Sequence, residues 1–314
     1  MNPVVSIVIP NWNGTAFLEE CLQCVITSAE ACRTSFEILV IDDGSTDHSR
    51  DVISGFRAHV RMLENEKNAG FGATCNRGAA EARGDLLVLL NNDLAPEPPM
   101  IGALIRPLVE NSRVFGVSGK TVAWDQSKSN HVNMAGSLQD GNFKLTYQES
   151  RTLSPTMFLQ GGACAVRRSV FLQFGGFCPL YYPGYWEDYD VSYQALKAGW
   201  ENVYNPEAVG RHIGQGSMVR AYGEDRIIEA RYRNRLLFTL LNFTDNEVLT
   251  ASLKKLPTLV AYDNTPRLKS RVRALWDTVT LTSQIIAERR KRIPNQKCSD
   301  REIFAKFSGW RISE

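Results

Sequence analysis

Nowhere does this 314-residue chain run for the roughly 20 apolar positions that a bilayer-crossing helix needs, because charges or turn residues interrupt every candidate. No membrane span is expected. An excess of charge of one sign is also missing: 36 Lys and Arg against 34 Asp and Glu leave a net charge of +2, which gives no bulk signal for nucleic acid. Seven cysteines is an odd number, and no secretory leader is read at Met1, so a disulfide framework is not expected and a reducing cytosol is. Cys21 and Cys24 form a CxxC, but no second pair follows at zinc spacing. They fall in the helical pattern Phe17, Leu18, Cys21, Leu22, Val25 and read as buried core thiols. The glycine-rich signatures GxxxxGK[ST] and GxGxxG are absent, which counts against a phosphate cradle built from glycine backbone alone.

What the chain does have is alternation. Val4 to Ile9, Phe36 to Ile41, Val60 to Leu63 and Leu86 to Leu90 are apolar, largely β-branched runs, as expected of parallel strands buried on both faces. Helical patterns separate or follow them at Phe17 to Ala29, after Ser45-Thr46, at Ala73 to Ala82 and at Met100 to Val109. Strand alternating with helix predicts an α/β fold with a mostly parallel, doubly wound sheet. From about Val122 to Tyr147 the periodicity fades into a hairpin or loop pattern, and order returns at Met157 to Val166 and in a helix from about Glu187 to Ala198. After Tyr222 the chain is helical and basic, which predicts a catalytic domain over 1–220 and a helical appendage over 221–314.

Ligands bind beyond the carboxyl ends of such strands, and every strand end here carries polar or turn residues: Asn11-Trp12-Asn13-Gly14, Asp42-Asp43-Gly44-Ser45, Asn91-Asn92-Asp93. A carboxylate at a buried strand end, a second acidic cluster at Trp186-Glu187-Asp188-Tyr189-Asp190 and the imidazole of His212 suit a divalent cation held against a diphosphate, with a base nearby. Oxygen ligands favour Mg2+ or Mn2+, and an imidazole shifts the preference toward Mn2+. Each motif also has a plainer reading. Asp42 to Asp47 makes an ordinary turn and helix cap, Asn68 to Gly78 a flexible connection, and Gly161-Gly162-Ala163 a tight strand crossing.

Taken in order over about Val4 to Ser217, Pro10-Asn11-Trp12-Asn13-Gly14, Asp42 to Asp47, Asn68 to Gly78, Leu89 to Asp93, Gly161-Gly162-Ala163 and Trp186-Glu187-Asp188 resemble an inverting family 2 glycosyltransferase of GT-A fold. The resemblance implies a nucleotide-sugar site formed by Pro10, Trp12, Asn13, Asp43, Asn68, Gly70, Asn76, Asn91, Asn92, Gly161 and Gly162, with Trp12 against the base, Asp43 binding it and Asn92 near the ribose. It implies Asp93 as the metal carboxylate and His212 as the late histidine closing that site. Asn91 and Asn92 depart from the family's pattern by replacing acidic residues, so Asp93 is the one anionic ligand of that element.

By the same resemblance Asp188 is the general base and Glu187 orients it or meets the acceptor. The plainer role of Asp188 is a carboxylate stabilising a helix start, which also keeps it ionised at neutral pH. Tyr181, Tyr182, Tyr185 and Trp186 either stack on an acceptor sugar or serve as core aromatics. The Asn-Asn-Asp form, Arg231 to Asn234 and Ser299-Asp300-Arg301-Glu302 resemble the rhamnosyltransferase-like branch, which implies a dTDP-rhamnose donor, with a galactofuranosyl or hexosaminyl transferase using a UDP-sugar as the rival.

The acceptor expected is a glycan or lipid-linked molecule, for cell-surface polysaccharide synthesis in a bacterial cytoplasm. In the tail, Leu236, Leu237, Phe238, Leu240, Leu241 and Phe243 interleave with arginines. They either contact the inner face of the cell membrane or pack on the catalytic domain. A nucleotidyltransferase would want a basic glycine-rich loop where Trp12-Asn13-Gly14 stands, and a catalytically inactive glycan-binding module would not need Asp93, Asp188 and His212 together.

Overall fold

The computed structural model describes residues 5–125, 129–131, 133–139, 141–212, 217–255 and 268–307. Met1 and Val4, the glycine-rich residues 213–216 that trail His212, and Arg267 lie outside them.

Strands β1 (Val5–Asn11), β2 (Phe36–Asp42), β3 (Val60–Glu64) and β4 (Leu86–Leu90) form where the apolar runs predict them, parallel and in the order β3-β2-β1-β4. Burial on both faces explains the unbroken hydrophobicity. Ile7, Ile9, Val40, Val88 and Leu90 point into one core with Leu18, Leu22 and Val25 of α1 (Thr15–Ala31) and Leu104 of α4 (Met100–Glu110). Their sequence neighbours Val8, Leu39, Ile41, Leu87 and Leu89 point the other way, against Cys75 and Ala79 of α3 (Phe71–Glu81) and Val191 of α6 (Glu187–Lys197). The chain winds outward from β1 to β3 and then returns to the other side of β1. The switch point therefore falls between the carboxyl ends of β1 and β4.

Beyond β4 the sheet departs from simple parallel winding. Strand β11 (Ala163–Arg167) runs antiparallel between β4 and β6 (Val114–Ala123), while β12 (Glu201–His212) is parallel to β6. The faded stretch contains the hairpin of β8 (Asn133–Gln139) and β9 (Asn142–Gln148). All seven cysteines are free thiols, and burial pushes the Cys21 thiol up, in keeping with a packing role.

After Tyr222 come α8 (Glu224–Asn242), α9 (Asn246–Lys254), α10 (Leu268–Thr280), α11 (Thr282–Arg292) and α12 (Asp300–Phe307), and no described helix is long and apolar enough to cross a membrane. Leu237, Phe238, Leu241 and Phe243 are fully buried in a third core with Met134 and Phe143 of the hairpin, Tyr193 of α6 and Phe304 of α12. Phe143 stacks on Phe238 with centroids 5.5 Å apart. Of the two expectations for this stripe, these four residues follow packing on the catalytic domain, each buried large side chain contributing roughly 1.5–3 kcal/mol. Two buried ion pairs reinforce the contact: Arg292 of α11 reaches Asp190 at 2.6 Å, and Lys197 reaches Asp300 of α12 at 3.0 Å.

Candidate active site

At the switch point, short polar side chains tie three strand ends together. Asn92 Nδ2 donates to Asn11 Oδ1 at 2.7 Å, and Asn11 Nδ2 donates to Asp42 Oδ1 at 2.9 Å. Asp42 Oδ2 accepts from the Ser45 amide at 3.1 Å and from Arg50 Nε at 2.9 Å. A Cβ on Gly14 would collide with the amides of Asn11 and Asn92, so glycine is required for this close approach. Asn13, at a φ of 48°, locks the neighbouring loops: its N–H donates to Ser45 Oγ at 2.9 Å and its Oδ1 accepts from the Thr46 amide at 2.8 Å. Pro10 and Trp12 lie half-buried beside this network.

Asp43 is buried, its carboxylate accepting from Asn65 Nδ2 at 2.6 Å and from the amides of Ala69 and Gly70 at 2.9 and 3.0 Å. It organises the Asn68–Gly70 turn, where Asn68 Oδ1 also accepts from Tyr222 at 2.7 Å. Gly70, at a φ of +88°, passes against the Tyr182 ring, which a Cβ would approach to 3.0 Å. Asn76, expected in the same nucleotide site, is engaged elsewhere. Its Nδ2 donates to the Phe177 carbonyl and its Oδ1 accepts from the Phe177 amide, both at 2.8 Å, so both ends of the amide hold that loop.

Asp93 meets His212 through a strand pairing that leaves no local trace in the sequence. After Asp93 the chain forms β5 (Leu94–Pro96), antiparallel to β12 with Leu94 opposite His212. This places His212 Nε2 3.0 Å from Asp93 Oδ1. Two donors at right angles on an ion with bonds of about 2.1 Å would lie about 3 Å apart, so the pair fits two neighbouring positions on Mg2+ or Mn2+. Among the described residues no group of three or more His, Cys, Asp or Glu side chains could hold a metal. The remaining positions would thus fall to substrate oxygens and water, as is usual for Mg2+.

On the other side of the crevice, Asp188 lies in the first turn of α6. Its Oδ2 accepts from the Gly161 amide at 3.0 Å and its Oδ1 from the Tyr189 amide at 2.9 Å. Desolvation pushes its carboxyl up to about 6, against the pull of those amides, so the helix start does not depress it as the sequence suggests. It is still mostly ionised at neutral pH. Glu187 is buried with Oε2 lacking a partner, and burial and the neighbouring Asp188 charge hold its carboxyl well above the usual range. Gly161 and Gly162 bridge the two halves. A Cβ on Gly161 would meet Asp188 Cβ at 3.0 Å, and one on Gly162 would strike Asn91, whose amide donates to the Gly162 carbonyl at 3.0 Å.

The loop entering α6 is strained, with Gly184 at a φ of 157°, Tyr185 at 72° and Trp186 at 79°. The sequence gives no sign of what holds it. Asn234 of α8, fully buried, donates from Nδ2 to the carbonyls of Tyr181, Gly184 and Tyr185, each at 2.8 Å. Trp186 packs among Tyr189 and Phe238 at 5.2 and 5.4 Å, as a core aromatic, whereas the Tyr185 ring carries the Arg231 guanidinium at 4.2 Å. Asp190, unremarked as a site residue, is the most heavily bonded carboxylate nearby, accepting from Tyr181, Gln194, Asn242 and Arg292.

A mostly parallel, doubly wound sheet with a polar crevice at its switch point, an Asp–His pair on one wall and a carboxylate on the other has the architecture of the GT-A fold. Residues 6–175 match the profile of Glycosyl transferase family 2, and the chain belongs to that family. It is 28% identical over 133 residues to Glycosyltransferase GlyG of Streptococcus pneumoniae, covering 41% of this chain and 43% of the relative. It is 27% identical over 239 residues to N-acetylglucosaminyl-diphospho-decaprenol L-rhamnosyltransferase of Mycobacterium tuberculosis, covering 68% of this chain and 76% of the relative. Among solved structures, GalNAc-T7 with UDP, GalNAc and Mn2+ superposes with a TM-score of 0.62 at 16% identity, covering 91% of this chain and 58% of that one, a likeness of fold. The chain spans less than half the length of the pneumococcal relative.

Proposed function

We propose that this chain is a cation-assisted, inverting glycosyltransferase with Asp188 as its general base. The observation that carries the reading is the double contact of Gly161-Gly162, which sets Asp188 and the Asn91–Asp93 turn on opposite sides of one backbone segment. Asp188 takes the proton of the acceptor hydroxyl as that oxygen attacks the anomeric carbon from the face opposite the nucleotide diphosphate, which inverts the configuration. A carboxyl at about 6 is ionised at neutral pH yet basic enough to accept that proton. Burial and the Asp188 charge push the Glu187 carboxyl well up, which favours Asp188 as the charged member of the pair. Asp93 and His212 would hold Mn2+ or Mg2+, which when bound supplies positive charge to the departing diphosphate.

Residues 1–220 carry this machinery in the proposed division, and the helices of 221–314 hold the base loop in place through Asn234. For the donor we propose dTDP-L-rhamnose, with a UDP-sugar of galactofuranosyl or hexosaminyl type as the rival. For the acceptor we propose a lipid-linked glycan of a bacterial cell envelope, on the cytoplasmic side. The named activity of the mycobacterial relative, which the chain matches over most of that protein, supports both. The test is a thermal-shift panel of sugar nucleotides with and without Mn2+, followed by product analysis with the donor that binds. A Mn2+-dependent shift with one donor supports the reading, and no shift with any sugar nucleotide overturns it.

A further inference from the structure

Away from the donor crevice, α8 and α10 enclose a cavity of about 480 Å³ whose rim includes Tyr182 and Pro183. Arg226, Arg233, Lys269 and Arg273 line it, against the carboxylates Asp225, Glu229 and Asp277. Arg273 is 3.8 Å from Glu229, so that pair is largely self-neutralised. Among the described residues the other three cations have no carboxylate within salt-bridge range. Arg233 is the most constrained of them. It donates to the carbonyls of Leu180 and Tyr182 and to Asn234 Oδ1, and Asp277 is the acid whose field it feels. A guanidinium partly stripped of water and bonded to neutral oxygens keeps its charge available for an anion.

A second observation lies beside the first. Leu268, Val272, Trp276 and Val279 of α10 are 49%, 52%, 68% and 63% exposed. Their spacing puts them on one stripe, and Lys269 and Arg273, one position on, face the cavity about 100° around the same helix. An apolar stripe bordering a cationic cavity matches an amphiphile with an anionic head. The location matches the chemistry as well. Tyr182 belongs to the loop that leads into Asp188, and Arg233 and Asn234 hold that loop.

We infer that the cavity between α8 and α10 binds the diphosphate of a lipid-linked acceptor, with the apolar stripe of α10 lying against the start of its hydrocarbon chain. This rests on the transferase reading above and names where its acceptor is held. Phosphate oxygens would meet Arg226, Arg233 and Lys269, leaving the attached sugar directed along the Tyr182–Trp186 loop toward Asp188.

The test is isothermal titration of the full chain with farnesyl diphosphate in EDTA, which silences the cation-dependent donor site. Saturable binding is expected, with inorganic pyrophosphate weaker and farnesol unmeasurable. Arg226→Gln combined with Lys269→Gln, both surface changes, should weaken farnesyl diphosphate about tenfold or more, as for lost hydrogen bonds to a charged group. Trp276→Ser should bring its affinity down toward that of pyrophosphate. Arg233→Gln is the stronger but riskier change, because that side chain also supports the loop. Absence of farnesyl diphosphate binding, unchanged affinity in the double variant, or equal affinity for pyrophosphate overturns the inference. The Mn2+-dependent shift with sugar nucleotides, measured on the same protein preparations without EDTA, reports separately on the transferase reading.

Discussion

Asp188 is the residue on which the proposed chemistry turns, and its environment makes the expectation quantitative. Asp188→Asn keeps the shape and one acceptor oxygen for the Gly161 amide but cannot take a proton, so turnover should fall by roughly 10²–10⁴-fold with donor binding retained. Near-native transfer by the variant in a radiolabel assay would remove Asp188 from its role. The pH profile of the native enzyme follows from the same carboxyl. Its ordinary value of 3.8 is raised to about 6, and the base acts when deprotonated, so the rate should rise with pH through about 6 and level off above it. Stability should move oppositely. Between 3.8 and about 6 the folded state holds a proton that the unfolded chain has released, so stability falls as pH rises through that window. The Asn variant should lose the share of that slope due to Asp188 and keep the share due to buried Glu187, so the slope should become shallower in a melting series. Asp93→Ala has a different signature, since it removes the anionic half of the 3.0 Å pair with His212. Mn2+ should then no longer enhance the thermal shift given by the sugar nucleotide, and a preserved enhancement would dissociate Asp93 from the cation.

Two elements aim Asp188, the proposed base: the glycine turn before β11 and helix α8. Gly161→Ala places a methyl 3.0 Å from Asp188 Cβ, and a displacement of the reacting group by as little as 1 Å costs on the order of 10²-fold in rate. The expected result is a large loss in kcat with a near-native melting temperature, and unimpaired kcat would show that the carboxylate has slack. These elements also mark what was legible in the sequence. The four parallel strands were, because residues alternating between two buried faces leave unbroken apolar runs, and so were the polar residues at each strand end. The antiparallel insertion of β11 was not, nor was the β5–β12 register that carries His212 to Asp93, since such pairing depends on contacts far apart in the chain. Asn76 and the apolar residues of α8 show the opposite limit. The residue types left a ligand or a loop contact open for Asn76 and a membrane or an internal core open for α8, and only the distant loop and the third core decide them.

At the scale of the whole molecule, the helices after Tyr222 and the sheet share one structural argument, the buried network around Asp190. Arg292 comes from α11 and Asn242 from α8, and both converge with Tyr181 on a carboxylate that has no solvent exposure, two residues beyond the base. Asp190 therefore joins the helical region to the start of α6 and to the loop that Asn234 holds. Removing one partner from such a pair leaves an uncompensated buried charge, which costs about 3–5 kcal/mol, whereas replacing both partners by apolar residues of similar volume is often neutral. Arg292→Met alone should therefore lower the melting temperature strongly, and adding Asp190→Leu should recover part of the loss, although Tyr181, Gln194 and Asn242 then lose their acceptor and recovery stays incomplete. Activity distinguishes a remote structural tie from one that positions the base. If the network aims Asp188, the double variant should regain stability without regaining kcat, because the helix start that carries the base is no longer anchored to the helical region. Parallel recovery of melting temperature and kcat would mean that the network stabilises the fold and leaves the aim of Asp188 to Gly161 and Asn234.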